Sequence, residues 1–275
     1  MLPNLTWWWG ACIGVGAIIC IFVVLPAVMK KYGMSKKSND FYSTLGLIAI
    51  AAGFGGAYLF QLFYDLVEYG FKLPATYWRY ADGSCRGPGV TFLGGLITGA
   101  ATFIVGTLFA KPEVKKEFWI ILRAFAPCVC IAHAFGRIGC FGAGCCYGKE
   151  TDSWLGIQFP GHTHKVLPTQ LFEAIFLFAL FAVCFLLTDK SMIIYLFSYG
   201  IFRFVLEFFR GDERAGNTSD FSGKLSPSQI ICILLVAAGI VMLVLDITKG
   251  IFKKYTPPKP PELISEAPDL ENTQI

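Results

Sequence analysis

The chain is 275 residues long, 55% of them hydrophobic and only 15% charged, with a formal net charge of +4. A soluble domain carries about 25% charged residues, so charge is too sparse here to coat a water-facing globule, and lipid must be the solvent for most of the surface. The modest net charge, with no basic run interleaved with aromatics, excludes nucleic acid as a partner.

Apolar runs near the ~20 residues that cross a bilayer predict seven spans, at residues 8–29, 43–63, 90–110, 118–141, 167–187, 192–209 and 228–247. The first is too long for a removed signal peptide and lacks its basic leader and cleavage site. Lysines set the orientation. Lys30, Lys31, Lys36 and Lys37 follow span one, Lys111, Lys115 and Lys116 follow span three, Lys190 follows span five, and Lys249, Lys253, Lys254 and Lys259 follow span seven. The opposite loops are poorer in basic residues, which places the N-terminus outside and the C-terminus in the cytoplasm. The fold class is an all-α integral membrane bundle of seven transmembrane helices. Residues 1–250 form one membrane domain. Residues 251–275, with Pro257, Pro258, Pro260 and Pro261 ahead of acidic and polar residues, read as a disordered cytoplasmic tail.

Arginine inside a membrane is costly and marks function by default. Arg123, near the cytoplasmic end of span four, is expected to snorkel. Arg137 lies near the outer end of the same span, and Arg203 about two turns inside span six. Tyr199, Arg203 and Glu207 are spaced i, i+4, i+8, with Arg210 seven beyond Arg203, so the four share one helix face. Two arginines there share one glutamate, which leaves a guanidinium for an anionic guest whose phosphate oxygens suit its fork. An Arg203–Glu207 pair that only glues helices is the alternative.

Span four ends in a glycine-dense stretch with Gly136, Arg137, Gly139, Cys140, Gly142, Gly144, Cys145, Cys146 and Gly148. Glycines at this density predict a broken helix whose freed N–H groups line a pocket beside Arg137; close helix packing through small residues is the alternative. Gly94 and Gly95 form a weaker pair at the outer end of span three. Pro168 opens span five, and Gln170 and Glu173 behind it can face one cavity.

Cys12, Cys20, Cys128, Cys130, Cys184 and Cys232 lie inside apolar runs and read as small buried hydrophobes. Cys85, Cys140, Cys145 and Cys146 lie in or near polar loops. The spacing of Cys145 and Cys146 with His162 and His164 fits no zinc template, so neither a metal nor a cofactor is expected, and a cystine or free thiols near the membrane surface are.

These motifs resemble those of the prolipoprotein diacylglyceryl transferase family. The resemblance is carried by Gly136-Arg-Ile-Gly139 through Gly148, by Tyr199-Gly-Ile-Phe-Arg203-Phe-Val-Leu-Glu207-Phe-Phe-Arg210, by Pro168-Thr-Gln-Leu-Phe-Glu173, and more weakly by Leu225-Ser-Pro-Ser-Gln229 and Trp9-Gly10. It implies seven spans and transfer of the diacylglyceryl group of phosphatidylglycerol to the lipobox cysteine thiol of a prolipoprotein signal peptide, at the outer face of the bacterial inner membrane. It implies Arg137 and Arg203 as the essential arginines, with Glu207 orienting Arg203. Gly94, Gly95, Gly139, Cys140, Gly148, Gln170, Tyr199 and Arg210 are then expected at the lipid site. Three positions depart from the family: its His-Gly-Gly-Leu reads Leu93-Gly-Gly-Leu96, the asparagine after Arg-Ile-Gly is Cys140, and a glutamate of the signature is Cys145. These departures keep two other readings open. One is a paralogue using the same phospholipid pocket for another acceptor or headgroup; the other is a non-catalytic lipid-binding membrane protein.

Overall fold

A computed structural model describes residues 6–73, 92–160, 163–211 and 225–251. Nine α-helices dominate the described residues: α1 (Thr6–Ile19), α2 (Leu25–Lys31), α3 (Lys36–Glu68), α4 (Phe92–Leu108), α5 (Pro112–Lys116), α6 (Phe118–Gly142), α7 (Thr169–Leu186), α8 (Ser191–Glu207) and α9 (Pro227–Lys249). A π turn at Cys20–Val24 joins α1 to α2, so that Trp8–Lys31 runs as one rod. Among the described residues, this rod, Lys36–Val67, Ile120–Gly142, Thr169–Leu186 and Ser228–Lys249 are the five helices long and apolar enough to cross a bilayer. The spans expected at 90–110 and 192–209 correspond to α4 and α8, each 17 residues long, or about 25 Å at 1.5 Å per residue. Large side chains such as Phe22, Phe54, Phe63, Leu234 and Ile247 stand exposed along the helices, as lipid contact requires. The expected tail lies almost wholly outside the described residues, as do His162 and Cys85.

Local chemistry sets the helix ends. Ser35 caps α3 by accepting from Ser38 N, which starts that helix well before the apolar run at residue 43. Ser226 opens α9 with a full capping box to Gln229 and Pro227 in the first turn, and Gly250, at φ 61°, closes it. Pro127 lies inside α6. It has no N–H, so the carbonyl of Arg123 one turn earlier loses its helical donor; the Ser191 hydroxyl donates to that oxygen at 2.8 Å instead.

Packing is close where side chains are small. The α3–α4 contact runs through Gly53, Gly95 and Gly99: a Cβ on Gly53 would lie 3.1 Å from the Gly95 carbonyl oxygen, and one on Gly95 would lie 3.0 Å from that of Gly53. The α1–α6 contact works likewise, since a Cβ on Gly139 would lie 3.1 Å from Trp9 Cα. The glycine-dense stretch therefore does not break its helix as expected. α6 continues through Gly136 and Gly139 to Gly142, because α1 packs on those glycines and the backbone N–H groups keep their helical partners.

The core has three parts. Cys20, Val24, Val28, Ile120, Ala124 and Ile131 join the first rod to α6. Ala126, Cys130, Ala134, Leu177, Leu180 and Tyr199 join α6, α7 and α8. Met29, Tyr42, Leu45, Val114 and Ile121 attach the α3–α4 hairpin. Arg123 does not snorkel: it is buried, its Nη1 lies 2.5 Å from Asp189 Oδ1, and its guanidinium lies over the Tyr32 ring at 5.3 Å. Tyr32 also donates to Asp189 at 2.8 Å. Snorkelling fails because α7 ends close by and Thr188–Lys190 brings a carboxylate to the guanidinium.

Gly53→Leu should force α3 and α4 apart against a backbone carbonyl. Thermal unfolding in detergent should register a loss of about 1–3 kcal/mol, whereas Gly55→Leu, with no atom near its Cβ position, should cost far less.

Candidate functional site

Three helices bring charge to one place inside the bundle. α6 contributes Arg137 and His133, α7 contributes Glu173, and α8 contributes Tyr199, Arg203 and Glu207. Glu173 is 1% exposed and lies at the centre. Its Oε2 is 3.0 Å from Arg137 Nε, and its Oε1 is 3.9 Å from Arg203 Nε. The Tyr199 hydroxyl donates to Oε1 at 2.9 Å. His133 Nε2 lies 3.6 Å from the same oxygen and accepts from Arg137 Nε at 3.3 Å, while its ring meets that of Tyr199 edge-on.

A second carboxylate continues the network. Glu207 Oε2 is 2.6 Å from Arg203 Nη1 and 4.0 Å from Arg210 Nε. The Ser226 hydroxyl donates to Glu207 Oε1 at 3.1 Å, which ties the network to the first residues of α9. Arg203, Glu207 and Arg210 are all buried. Among the described residues, the guanidiniums of Arg137, Arg203 and Arg210 meet the carboxylates of Glu173 and Glu207 where little water reaches. Charges buried this way are costly unless each is paired.

The segment after α6 roofs this region. Gly148 N donates to the Leu167 carbonyl at 2.7 Å, Leu167 N to Lys149 O at 3.0 Å, and Lys149 N to Phe209 O at 2.9 Å. Residues 147–150 are thus threaded between the start of α7 and the end of α8, with Gly148 bridged to Arg210. Only glycine fits at 148, since a Cβ would lie 2.6 Å from Phe209 O and 2.8 Å from Leu167 Cβ. Gln170, fully buried, donates from Nε2 to the Cys145 carbonyl at 2.6 Å, and the Thr169 hydroxyl donates to that of Cys146 at 3.1 Å.

Of the residues expected at the site, Arg137, Tyr199, Arg203, Glu207 and Arg210 join one network, and Gly148 lies beside Arg210. Gln170 holds the roof. Gly139 faces α1, and Gly94 and Gly95 face α3: a Cβ on Gly94 would lie 2.5 Å from Phe60 Cβ. Cys140 meets Cys145 and Cys146. Leu93 lies in the first turn of α4, and its side chain is outside the described ones. The sequence reading leaves out His133 and Ser226 and gives Glu173 no central part. His133 precedes Arg137 by four residues, the same spacing that reveals the α8 stripe. The Ser226–Glu207 contact spans 19 residues and has no such local sign.

The chain matches the family described as prolipoprotein diacylglyceryl transferase over residues 3–245. It is 32% identical over 255 residues to the phosphatidylglycerol–prolipoprotein diacylglyceryl transferase of Clostridium tetani (strain Massachusetts / E88), covering 86% of this chain and 92% of the relative. A protein named phosphatidylglycerol–prolipoprotein diacylglyceryl transferase 2 from Clostridium perfringens (strain 13 / Type A) is 32% identical over 258 residues, or 88% and 91% of the two chains. The similarly named protein of Chlorobaculum tepidum (strain ATCC 49652 / DSM 12025 / NBRC 103806 / TLS) is 30% identical over 251 residues, or 83% and 84%.

Glu173→Gln keeps the size of the central side chain and removes its charge, leaving Arg137 and Arg203 undercompensated. Thermal unfolding should show a loss of about 3–5 kcal/mol, the usual cost of breaking a buried pair from one side. A loss below about 1 kcal/mol contradicts the central role of this carboxylate.

Proposed function

The chain belongs to the prolipoprotein diacylglyceryl transferase family, and from that premise we propose that it moves the diacylglyceryl group of phosphatidylglycerol onto the lipobox cysteine thiol of prolipoproteins, at the outer face of the bacterial inner membrane. The observation that carries this reading is that Arg137 and Arg203, on different helices, converge on the same buried carboxylate, which sets two guanidinium forks side by side for a lipid phosphate.

In the reaction the acceptor sulfur forms a bond to the glyceryl carbon. The bond from that carbon to the phosphate oxygen breaks, the electron pair leaves with glycerol phosphate, and the thiol proton passes to that departing phosphate or to water at the outer face. Negative charge grows on the departing phosphate, so donors fixed in a dry site lower the barrier more than they tighten substrate binding. Glu173 meets Arg137 through Nε, and the terminal Nη groups of Arg137 take the phosphate. Glu207 holds Arg203 through Nη1 and orients it. Positive charge also favours the thiolate form of the acceptor. His133 accepts from Arg137 Nε, so it positions that guanidinium rather than removing the thiol proton.

The seven crossings, with an outside N-terminus and a cytoplasmic C-terminus, complete the reading. The lysine-rich segments support it: Lys30, Lys31, Lys36, Lys37, Lys111, Lys115 and Lys116 all flank the end of the bundle that holds Asp189, opposite the arginine network. The acceptor thiol then meets the network from outside, where exported precursors arrive.

Expression in a strain depleted of its own diacylglyceryl transferase should restore growth. Failure to do so by a membrane-inserted protein that still turns over phospholipid favours another acceptor; failure without turnover favours lipid binding alone. Arg137→Lys or Arg203→Lys retains charge but loses the fork. Each should lower transfer of labelled diacylglyceryl groups by about a hundredfold or more, and Glu207→Gln should lower it less. Near-normal transfer by both lysine variants sinks the shared-phosphate mechanism. Reporters fused after Lys116 and after Lys259 should both report cytoplasm, and a periplasmic signal from either overturns the orientation.

A further inference from the structure

A second cluster stands beside the arginine network. Cys140 lies in the last turn of α6, and Cys145 and Cys146 follow in the turn beyond it, with all three Sγ atoms within 4.8 Å of one another. They lie five and six residues apart in the chain and meet because the backbone doubles back over the helix end. Gly144 has φ 63° and Cys146 has φ 64°. The left-handed region is uncommon for a residue with a side chain and persists only where the surroundings enforce it. Here Gln170 and Thr169 hold the carbonyls of Cys145 and Cys146, and Cys145 Sγ donates to the Cys140 carbonyl at 3.6 Å. Two adjacent thiols are thereby pointed at a third.

None of the three is in a disulfide, and each is partly exposed, so an ion can reach them. We propose that Cys140, Cys145 and Cys146 form a three-thiolate site for a thiophilic d10 cation of the Zn²⁺ type. Three sulfur donors select such an ion over Mg²⁺ or Ca²⁺, which need oxygen. Zinc takes thiolates at about 2.3 Å in a tetrahedron, so the sulfurs close up by about 1 Å through side-chain rotation and one coordination position stays open. A bound cation displaces the thiol protons, so binding tightens as pH rises. The bound ion fixes the end of α6 to the segment that carries Gly148. This inference does not depend on the transferase reading, because its test reads metal alone.

The full chain, purified in detergent with a non-thiol reductant, is titrated with Cd²⁺, and then with Zn²⁺ in competition. One equivalent of Cd²⁺ should produce a thiolate-to-metal charge-transfer band that saturates at one per chain, grows tighter with rising pH and is lost to Zn²⁺. Cys140→Ser and Cys145→Ser should each weaken binding at least a hundredfold, and Cys232→Ser, on α9, should leave it unchanged. Zn²⁺ should also shield these three thiols of the unmodified chain from alkylation, a readout that needs no variant to fold. A titration without a stoichiometric band, or one unchanged in Cys140→Ser, overturns the proposal. So does protein isolated without reductant that is two hydrogens lighter, with a bond mapped between two of the three sulfurs.

Discussion

The structure depends on a carboxylate that cannot leave. Glu173 is held by Arg137 from α6 and by Tyr199 from α8, with Arg203 close by, and its burial means that no water can replace these partners. An isolated carboxylate here would be prohibitive, and so would either guanidinium. The three helices must therefore meet in one relative placement or none. The apolar contacts of Ala134, Leu177 and Tyr199 supply attraction between the same helices, but small apolar faces can slide. The ion network fixes their register.

Polar chemistry at the two ends of the bundle has opposite purposes. At the Asp189 end, one guanidinium meets one carboxylate, the Tyr32 ring covers it, and Lys31 donates to Thr188 at 2.9 Å. Lys190 and Asp246 pair alongside, joining the start of α8 to the end of α9. The contacts there are closed within the protein. At the Glu173 end Arg137 and Arg203 converge on one carboxylate, and the proposed lipid phosphate would meet them there.

Much of this was readable in the sequence, and the exceptions follow a rule. The α8 stripe of Tyr199, Arg203 and Glu207 is visible because a helix repeats its face every three to four residues, and the helices themselves follow from apolar length. His133 was equally visible by the same spacing from Arg137, yet a lone histidine in an apolar run draws less notice than an arginine. Contacts between helices left no such periodic trace. Nothing local in Thr169-Gln-Leu-Phe-Glu173 says that Glu173 lies between two arginines, or in Ser226 that its hydroxyl reaches Glu207. The glycines misled because one residue type serves two ends: Gly136, Gly139 and Gly142 admit a neighbouring helix, whereas Gly144 turns the chain and Gly148 fits a crowded crossing. Only the partner surface tells these apart. The meeting of Cys140 with Cys145 and Cys146 rests on a positive φ at Cys146, which a residue with a side chain does not advertise.

The contact between Ser226 and Glu207 bears on how the chain could be divided. Ser226 caps α9 by accepting from Gln229 N while its own hydroxyl proton goes to Glu207 at the end of α8. The two helices are thus joined at the site by a hydrogen bond between their own ends. α9 recognises α8 directly, with Val236 meeting Gly200 at close range. A gene split between the codons for Gly211 and Leu225, with its two products inserted into one membrane, should therefore reassemble around Glu207 as separate polypeptides.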